Sequence, residues 1–466
     1  MAEPDYTRPR SAIFQQRVNP QEYEARPQRW NWYALIRPLD RSLEEQAERP
    51  LPSGYIRNLR HFWLDGLFAA VSDNLYLSFI PLYALAFGAS NSQVGLVTAA
   101  ANLLGALSFF PGARLVEQVR WRKPLVLLSG GWLGRLALLG LALVPLLAGR
   151  PEIAIALIVL LNGLRSFLGN LANPAWTSLV ADLVPEHMRG RYLSGRNTAM
   201  GLAGLAVVPV AGYLINRANT AADSEVVGYQ LAFGLAFAAG LVSAFFYSRI
   251  SEPFPRPAAL VEHRRGDLRR ALRTNLAFAG LVGGAFIWNL ALQMAAPYFN
   301  VYLVRALGAT TTAVGLLAAV SSLTALPGQL LFSRLLDRKG ATWVLLVTGF
   351  LIPLLPLGWL FVTQPWQVGI INTFGGLWWA GYNLANLSLL LLLTPERGRV
   401  RAVALFQTAV FSAAVAGPLL GGYLADAAGF KLIFLLSGIG RFAGSLIFAA
   451  AIWRAGRAPV PSTPSP

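Results

Sequence analysis

Apolar stretches of about 20 residues recur from His61 to Trp453, separated by short loops rich in arginine. This alternation constrains the fold more than any other feature of the chain. A helix needs roughly 20 predominantly apolar residues to cross the hydrocarbon layer, so the region holds about twelve crossings. Charged residues make up only 13% of the sequence, about half the usual share of a soluble domain, roughly 25%. The expected class is therefore an all-α membrane protein of twelve transmembrane helices.

Crossings are expected near 61–87, 92–116, 124–147, 152–183, 197–216 and 228–249, then near 274–304, 312–334, 341–363, 366–393, 402–425 and 429–453. The stretch 152–183 exceeds one crossing and is expected to tilt or project from the membrane. Basic residues gather in the loops of one side, including Arg120, Arg122, Lys123, Arg189, Arg191, Arg264, Arg265, Arg338 and Lys339, against Arg150, Arg217, Arg305 and Lys431 on the other. By the positive-inside rule the first side is cytoplasmic and both termini share it, in the inner membrane. Residues 1–58 are expected to be a partly disordered cytoplasmic tail, since Met1 to Pro52 is polar and has no apolar signal-peptide segment. Within it, Arg29-Trp30-Asn31-Trp32-Tyr33 suits either the membrane interface or a loose linker. A six-helix unit over 59–250, a linker over 251–273, a second six-helix unit over 274–454 and a tail over 455–466 complete the expected organisation.

The net charge of +17 fits cytoplasmic loops, and no aromatic-interleaved basic module points to nucleic acid. The chain has no cysteine, which excludes disulfides, thiolate catalysis and cysteine metal sites. His61, His187 and His263 form no His-x-x-x-His pair, so no metal site is expected. None of Lys123, Lys339 and Lys431 follows a glycine, so the chain has no P-loop of its own. No Ser/His/Asp set or paired carboxylates fall at cavity depth, and neither an enzyme nor a cofactor is expected.

The two halves repeat. Gly88 and Gly95 correspond to Gly308 and Gly315, each 220 residues later, and Phe87-Gly88-Ala89-Ser90 reads against Leu307-Gly308-Ala309-Thr310. Asn173, Ala175 and Ser178 match Asn383, Ala385 and Ser388, 210 residues later, and Gly212-Tyr213-Leu214 matches Gly422-Tyr423-Leu424. Six crossings separate equivalent spans, so the repeats run parallel, the arrangement of two bundles around a central site.

From these residues the chain resembles the major facilitator superfamily over essentially all of 61–453. The family pattern Gly-x-Leu-x-Asp-Arg-x-Gly between spans two and three appears as Ser333-Arg334-Leu335-Leu336-Asp337-Arg338-Lys339-Gly340, with a degenerate first copy, Ala113-Arg114-Leu115-Val116-Glu117. The resemblance implies two pseudo-symmetric six-helix bundles and a cytoplasmic latch at Glu117, Asp337, Arg338 and Gly340. A second pattern, Arg-x-x-Gln-Gly in span four, is matched by Arg165 and Gly169 but not by a glutamine. A glycine–proline pattern that marks span five in many antiporters is incomplete at Gly204 to Gly212 and fuller at Gly417-Pro418-Leu419-Leu420-Gly421-Gly422 in span eleven. Close helix packing accounts for it equally well.

Arg165 lies about 20 Å into its span, near mid-membrane, and Asp73, the single acid expected at that depth, lies opposite. A charge there costs at least a few kcal/mol unless paired, so Asp73 is expected to pair with Arg165 or with Arg135 of span three. The pair serves either proton coupling or structure alone. In the second half, Trp288, Asn289, Gln293, Trp378, Trp379, Tyr382, Asn383 and Asn386, with Asn74 of the first, are expected to line a substrate cavity for a small organic molecule with an apolar face and hydrogen-bonding edges. The expected function is a monomeric, proton-coupled secondary transporter. A passive facilitator and a non-transporting receptor or scaffold are the alternatives.

Overall fold

The computed structural model describes residues 53–119, 121–252, 276–393 and 399–457. The expected N-terminal tail up to residue 52, most of the linker and the last residues lie outside that set. Every regular element among the described residues is helical.

The first half holds α1 (Ser53–Tyr76, continued by Ile80–Ala86), α2 (Asn91–Gln118), α3 (Arg122–Leu147), α4 (Pro151–Leu183), α5 (Glu186–Ala222) and α6 (Val227–Ser248). The second holds α7 (Leu276–Ala295, continued by Tyr298–Arg305), α8 (Thr311–Lys339), α9 (Ala341–Phe361), α10 (Gln367–Leu393), α11 (Arg399–Ala428) and α12 (Phe430–Arg457). Ten of these are long and apolar enough to cross a membrane, and α7 and α10 complete the twelve of the fold.

The halves are built alike. α1 packs on α5 and α6, α2 on α4, and α3 on α4 and α6; α7 packs on α11 and α12, α8 on α10, and α9 on α10 and α12. Both first helices break near one end, where Pro81 opens the second segment of α1 and Pro297 caps that of α7. Proline lacks the N–H that would continue the ladder. The sequence repeat at 88 and 308 now has a cause. Gly88 (φ 81°) and Gly308 (φ 64°) turn the chain in the left-handed region open to glycine, and Ser90 and Thr310 then cap α2 and α8 with their hydroxyls.

The expected 184–196 loop is instead the first turns of α5, which starts at Glu186. Its polar residues read as a loop because their partners are on α1: the Tyr192 hydroxyl donates to the Leu59 carbonyl at 2.6 Å and Arg196 Nε to the Phe62 carbonyl at 3.2 Å.

Candidate functional site

The bundles meet through α2 on α11 and α5 on α8. Glycines let these backbones approach: a Cβ at Gly95 would overlap the Pro418 carbonyl, one at Gly212 the Thr311 carbonyl, and one at Gly315 would come within 2.7 Å of the Val208 carbonyl. The hydrogen bonds joining the bundles gather at the end that carries the Ser90 and Thr310 caps. There Asp426 of α11 accepts from the Asn91 amide at 3.1 Å, Asn91 Nδ2 at 2.9 Å, the Ser92 amide at 2.8 Å and the Ser92 hydroxyl at 2.5 Å. It thus completes the N-terminus of α2, where unpaired N–H groups favour an anion. Arg305 donates to the Ala89 carbonyl and Asn91 Oδ1, and the Tyr298 hydroxyl bridges the carbonyls of Asn91 and Pro418. This capped end is closed.

At the opposite, arginine-rich end, Glu117 and Asp337 make no ion pair or hydrogen bond among the described residues. Asp337, Arg338 and Gly340 are exposed, and Gly340 (φ 82°) ends α8. The ion cluster at this end belongs to the first bundle. Arg122, 1% exposed, reaches Asp182 at 2.6 Å, Glu252 at 2.8 Å and the Ser178 hydroxyl at 2.9 Å. It ties α3 to the end of α4 and to the chain leaving α6.

Between α1, α3, α4, α5 and α6 lies a cavity of about 460 Å³. Asp73 projects into it, its side chain 41% exposed, while its arginine partners sit in the wall. Arg165 Nη2 lies 2.5 Å from Asp73 Oδ1 and Arg135 Nη1 3.5 Å from the same oxygen. Both expected partners are therefore present at once. Arg165 also donates to the Tyr76 hydroxyl and lies over its ring, 4.1 Å from the centroid. Arg135 donates to Ser72 Oγ at 2.9 Å, and that hydroxyl donates in turn to the Ala236 carbonyl. The α3 wall is Leu127, Gly130, Gly131 and Gly134, where a π-helical stretch over Leu127–Leu133 interrupts the regular ladder. Such bulges are frequent at functional sites.

Asp73 shares its cavity with a second acid. Asp65 lies one helical stretch away in the same cavity, accepts from Ser243 Oγ at 2.7 Å and faces Arg196 at 3.8 Å. Arg196 stacks over Phe62, 4.3 Å from its centroid. Sequence reasoning missed both, although the two charges fall on helices that the fold packs together. The lining then sets Asp65 and Asp73 against Arg135, Arg165 and Arg196, a surplus of positive charge around a carboxylate that reaches the open space.

The expected second-half cavity residues divide. Trp288 and Tyr382 line none of the three cavities described here: they are 2% and 8% exposed and stack on each other at 4.8 Å, part of the core between α7 and α10. Trp379 packs edge-on to that stack and lines a cavity of about 220 Å³ and another of about 380 Å³. Asn383 lines the larger of these. Trp378 packs against Phe374, Gln293 against Gly417, and Asn289 donates to its own helix at the Ala285 carbonyl. Asn74 bonds its own helix at the Ala70 carbonyl and packs against Gly204 of α5. The side chain of Asn386 lies outside the described set. Among the described residues no group of His, Cys, Asp and Glu is placed to hold a metal ion.

Comparison with known proteins agrees with this architecture. The family model described as Major Facilitator Superfamily matches residues 62–303 and again 281–466. The multidrug resistance protein MdtG of Salmonella typhimurium (strain LT2) is 26% identical over 417 residues, covering 86% of this chain and 95% of that protein. MdtG of Citrobacter koseri is 26% identical over 418 residues, with the same coverage. Among solved structures, a bacterial homologue of the iron transporter ferroportin in an inward-facing state superposes with a TM-score of 0.67 at 15% identity, covering 85% of this chain and 98% of that one. A D-xylose-proton symporter gives 0.61 at 17% identity, covering 84% and 96%.

Proposed function

The chain belongs to the major facilitator superfamily and is a multi-pass membrane transporter of a small molecule, and on that footing we propose that it moves an organic solute across the cytoplasmic membrane by alternating access, coupled to protons through Asp73. The observation that carries this reading is the Asp73 carboxylate, held at 2.5 Å from Arg165 yet open to a cavity of about 460 Å³. That volume lies in the range of small-molecule sites, about 300–1,000 Å³.

The cycle follows from charge. A carboxylate beside an arginine stays ionised; the same carboxylate in a low-dielectric wall without it favours the proton. Rearrangement that draws Arg165 and Arg135 from Asp73 loads a proton, and their return expels it. The name of the MdtG relatives, multidrug resistance protein, supports a drug-like organic cargo and export as the direction. The proposal includes a monomer with both termini and residues 251–273 on the cytoplasmic side, so that the arginine-rich end faces the cytoplasm and the capped end is external. The two bundles are taken as 59–250 and 274–454, flanked by tails at 1–58 and 455–466. A single cysteine placed at 263 should resist an impermeant thiol reagent applied outside intact cells, and labelling there would overturn the orientation.

The deciding experiment uses proteoliposomes with an imposed pH gradient and a cargo found by thermal-shift screening. Wild type should concentrate the cargo. Asp73→Asn should lose accumulation but keep exchange, and Arg165→Ala should impair both by leaving Asp73 only the more distant Arg135, at 3.5 Å, and removing the donor to the Tyr76 hydroxyl. Accumulation by Asp73→Asn would make the pair structural, and wild-type flux indifferent to the gradient would make the protein a facilitator.

A further inference from the structure

The second bundle holds a charge that the proton cycle does not use. Arg441 sits in the middle of α12, 2% exposed, as the one charged residue between Lys431 and Arg454. Its Nε and Nη2 are buried and have no hydrogen-bond partner. Among the described residues no acid forms an ion pair with it. An unpaired guanidinium this deep in a membrane bundle is expensive, and a residue of this kind marks a ligand or ion path unless something neutralises it.

Arg441 is one of the residues that line the cavity of about 220 Å³ between α7, α8, α9, α10 and α12. The other polar groups of its wall are Asn300, Ser321 and Asn372, and Phe299, Trp359 and Trp379 supply aromatic faces. Asn372 is held in place by donating to the Leu317 carbonyl at 2.7 Å. No carboxylate lines this space. Two free N–H groups in a planar fork, neutral donors beside them and aromatic walls form a site for an oxyanion with a small apolar body. A second cavity adjoins the chamber. Ser321 and Trp379 are shared with the cavity of about 380 Å³ whose wall includes Gln329 and Asn383, both exposed. Trp379 and Ser321 thus lie between this cavity and the Arg441 chamber.

We propose that the Arg441 chamber is a binding site for a small organic anion, a monocarboxylate or monophosphonate, with Arg441 pairing to its oxygens and Trp359 and Trp379 flanking its body. The site is separate from the Asp73 cluster, and an equilibrium measurement without any gradient tests it, so its failure leaves the proton-coupling reading untouched.

The test is melting of the purified full-length chain in lipid nanodiscs, titrated with benzoate, phenylphosphonate, inorganic phosphate or chloride at constant ionic strength, and with benzamide as the neutral analogue of benzoate. Ligand that binds only the folded state raises the melting temperature with the logarithm of its concentration. Benzoate or phenylphosphonate should give a rise that grows with the logarithm of concentration once the dissociation constant is passed, and benzamide none. Arg441→Gln should weaken the effect about tenfold or more, because a charge-assisted pair becomes a neutral contact. This variant is expected to fold, since it removes a buried charge that has no protein partner, and its own melting temperature without ligand should match or exceed wild type. Arg441→Lys should retain part of the response, because its ammonium lacks the planar fork. A response to benzamide equal to that to benzoate, a full response in Arg441→Gln, or no response to any of the anions would overturn the site. A response to phosphate or chloride alone would reduce it to an inorganic counter-ion site and overturn the organic-anion assignment.

Discussion

Replacing Asp426 by asparagine should loosen the capped end in a measurable way. In the closed arrangement its two carboxylate oxygens serve different residues: Oδ1 takes the amide and Nδ2 of Asn91, and Oδ2 the amide and hydroxyl of Ser92. An asparagine keeps one accepting oxygen, so the two Ser92 bonds are lost, together with the anion at the α2 N-terminus. Because Asp426 is exposed, each bond is taken near the low end, about 0.5–1 kcal/mol, and the helix-terminus contribution at about 0.3–1 kcal/mol. The sum, about 1.3–3 kcal/mol, corresponds to roughly a ten- to hundredfold rise in the open population, at 1.4 kcal/mol per factor of ten. The absence of native cysteine makes the assay simple. Thr98→Cys puts a thiol two turns below the clasp on α2, and an impermeant maleimide is applied from the capped-end side in right-side-out vesicles. Labelling should accelerate in the Asp426→Asn background by about tenfold or more, with Asp426→Glu intermediate. A change under about threefold would mean that glycine packing, not the Asp426 clasp, closes this end.

Other substitutions probe the remaining contacts. Arg122→Ala removes the buried cation that bridges Asp182 and Glu252 and should lower stability by about 3–5 kcal/mol, read as a large drop in melting temperature; Arg122→Lys should recover only part of it. Gly95→Val drives side-chain atoms into the Pro418 carbonyl and the Tyr298 hydroxyl, so the same Thr98→Cys labelling should accelerate at least as much as in Asp426→Asn, without loss of folded protein. Asp337→Asn and Glu117→Gln should leave the stability of this state within about 0.5 kcal/mol of wild type, since neither acid has a partner among the described residues. Both should instead weaken closure at the arginine-rich end, Asp337→Asn the more strongly because its surrounding motif is intact, as cysteine accessibility on that side would report.

The Asp73–Arg165 pair was legible because burial of charge in a bilayer leaves few options: two opposite charges at similar depth on helices that the family fold sets side by side must meet. That rule names the residues that need partners, not how many they share, so the sequence left Arg165 and Arg135 as rivals where the structure brings both to one oxygen. Asp65, Arg122 and Arg196 escaped because they lie where apolar spans give way to polar loops, and a charge there reads as solvated. Only the packing of α5 on α1 and of α3 on α4 reveals them as buried. Trp288 and Tyr382 misled for a different reason. An aromatic side chain in a span suits a cavity and a core equally, and the choice depends on what faces it across α7 and α10. Arg441 is the opposite case. It stands in the sequence as a lone charge in a run of apolar residues, and a charge with no opposite partner assigned is hard to give a role. The structure removes that difficulty by placing beside it an enclosed space with hydrogen-bonding walls. A buried cation with no acid paired to it among the described residues then suits an anion from outside the chain.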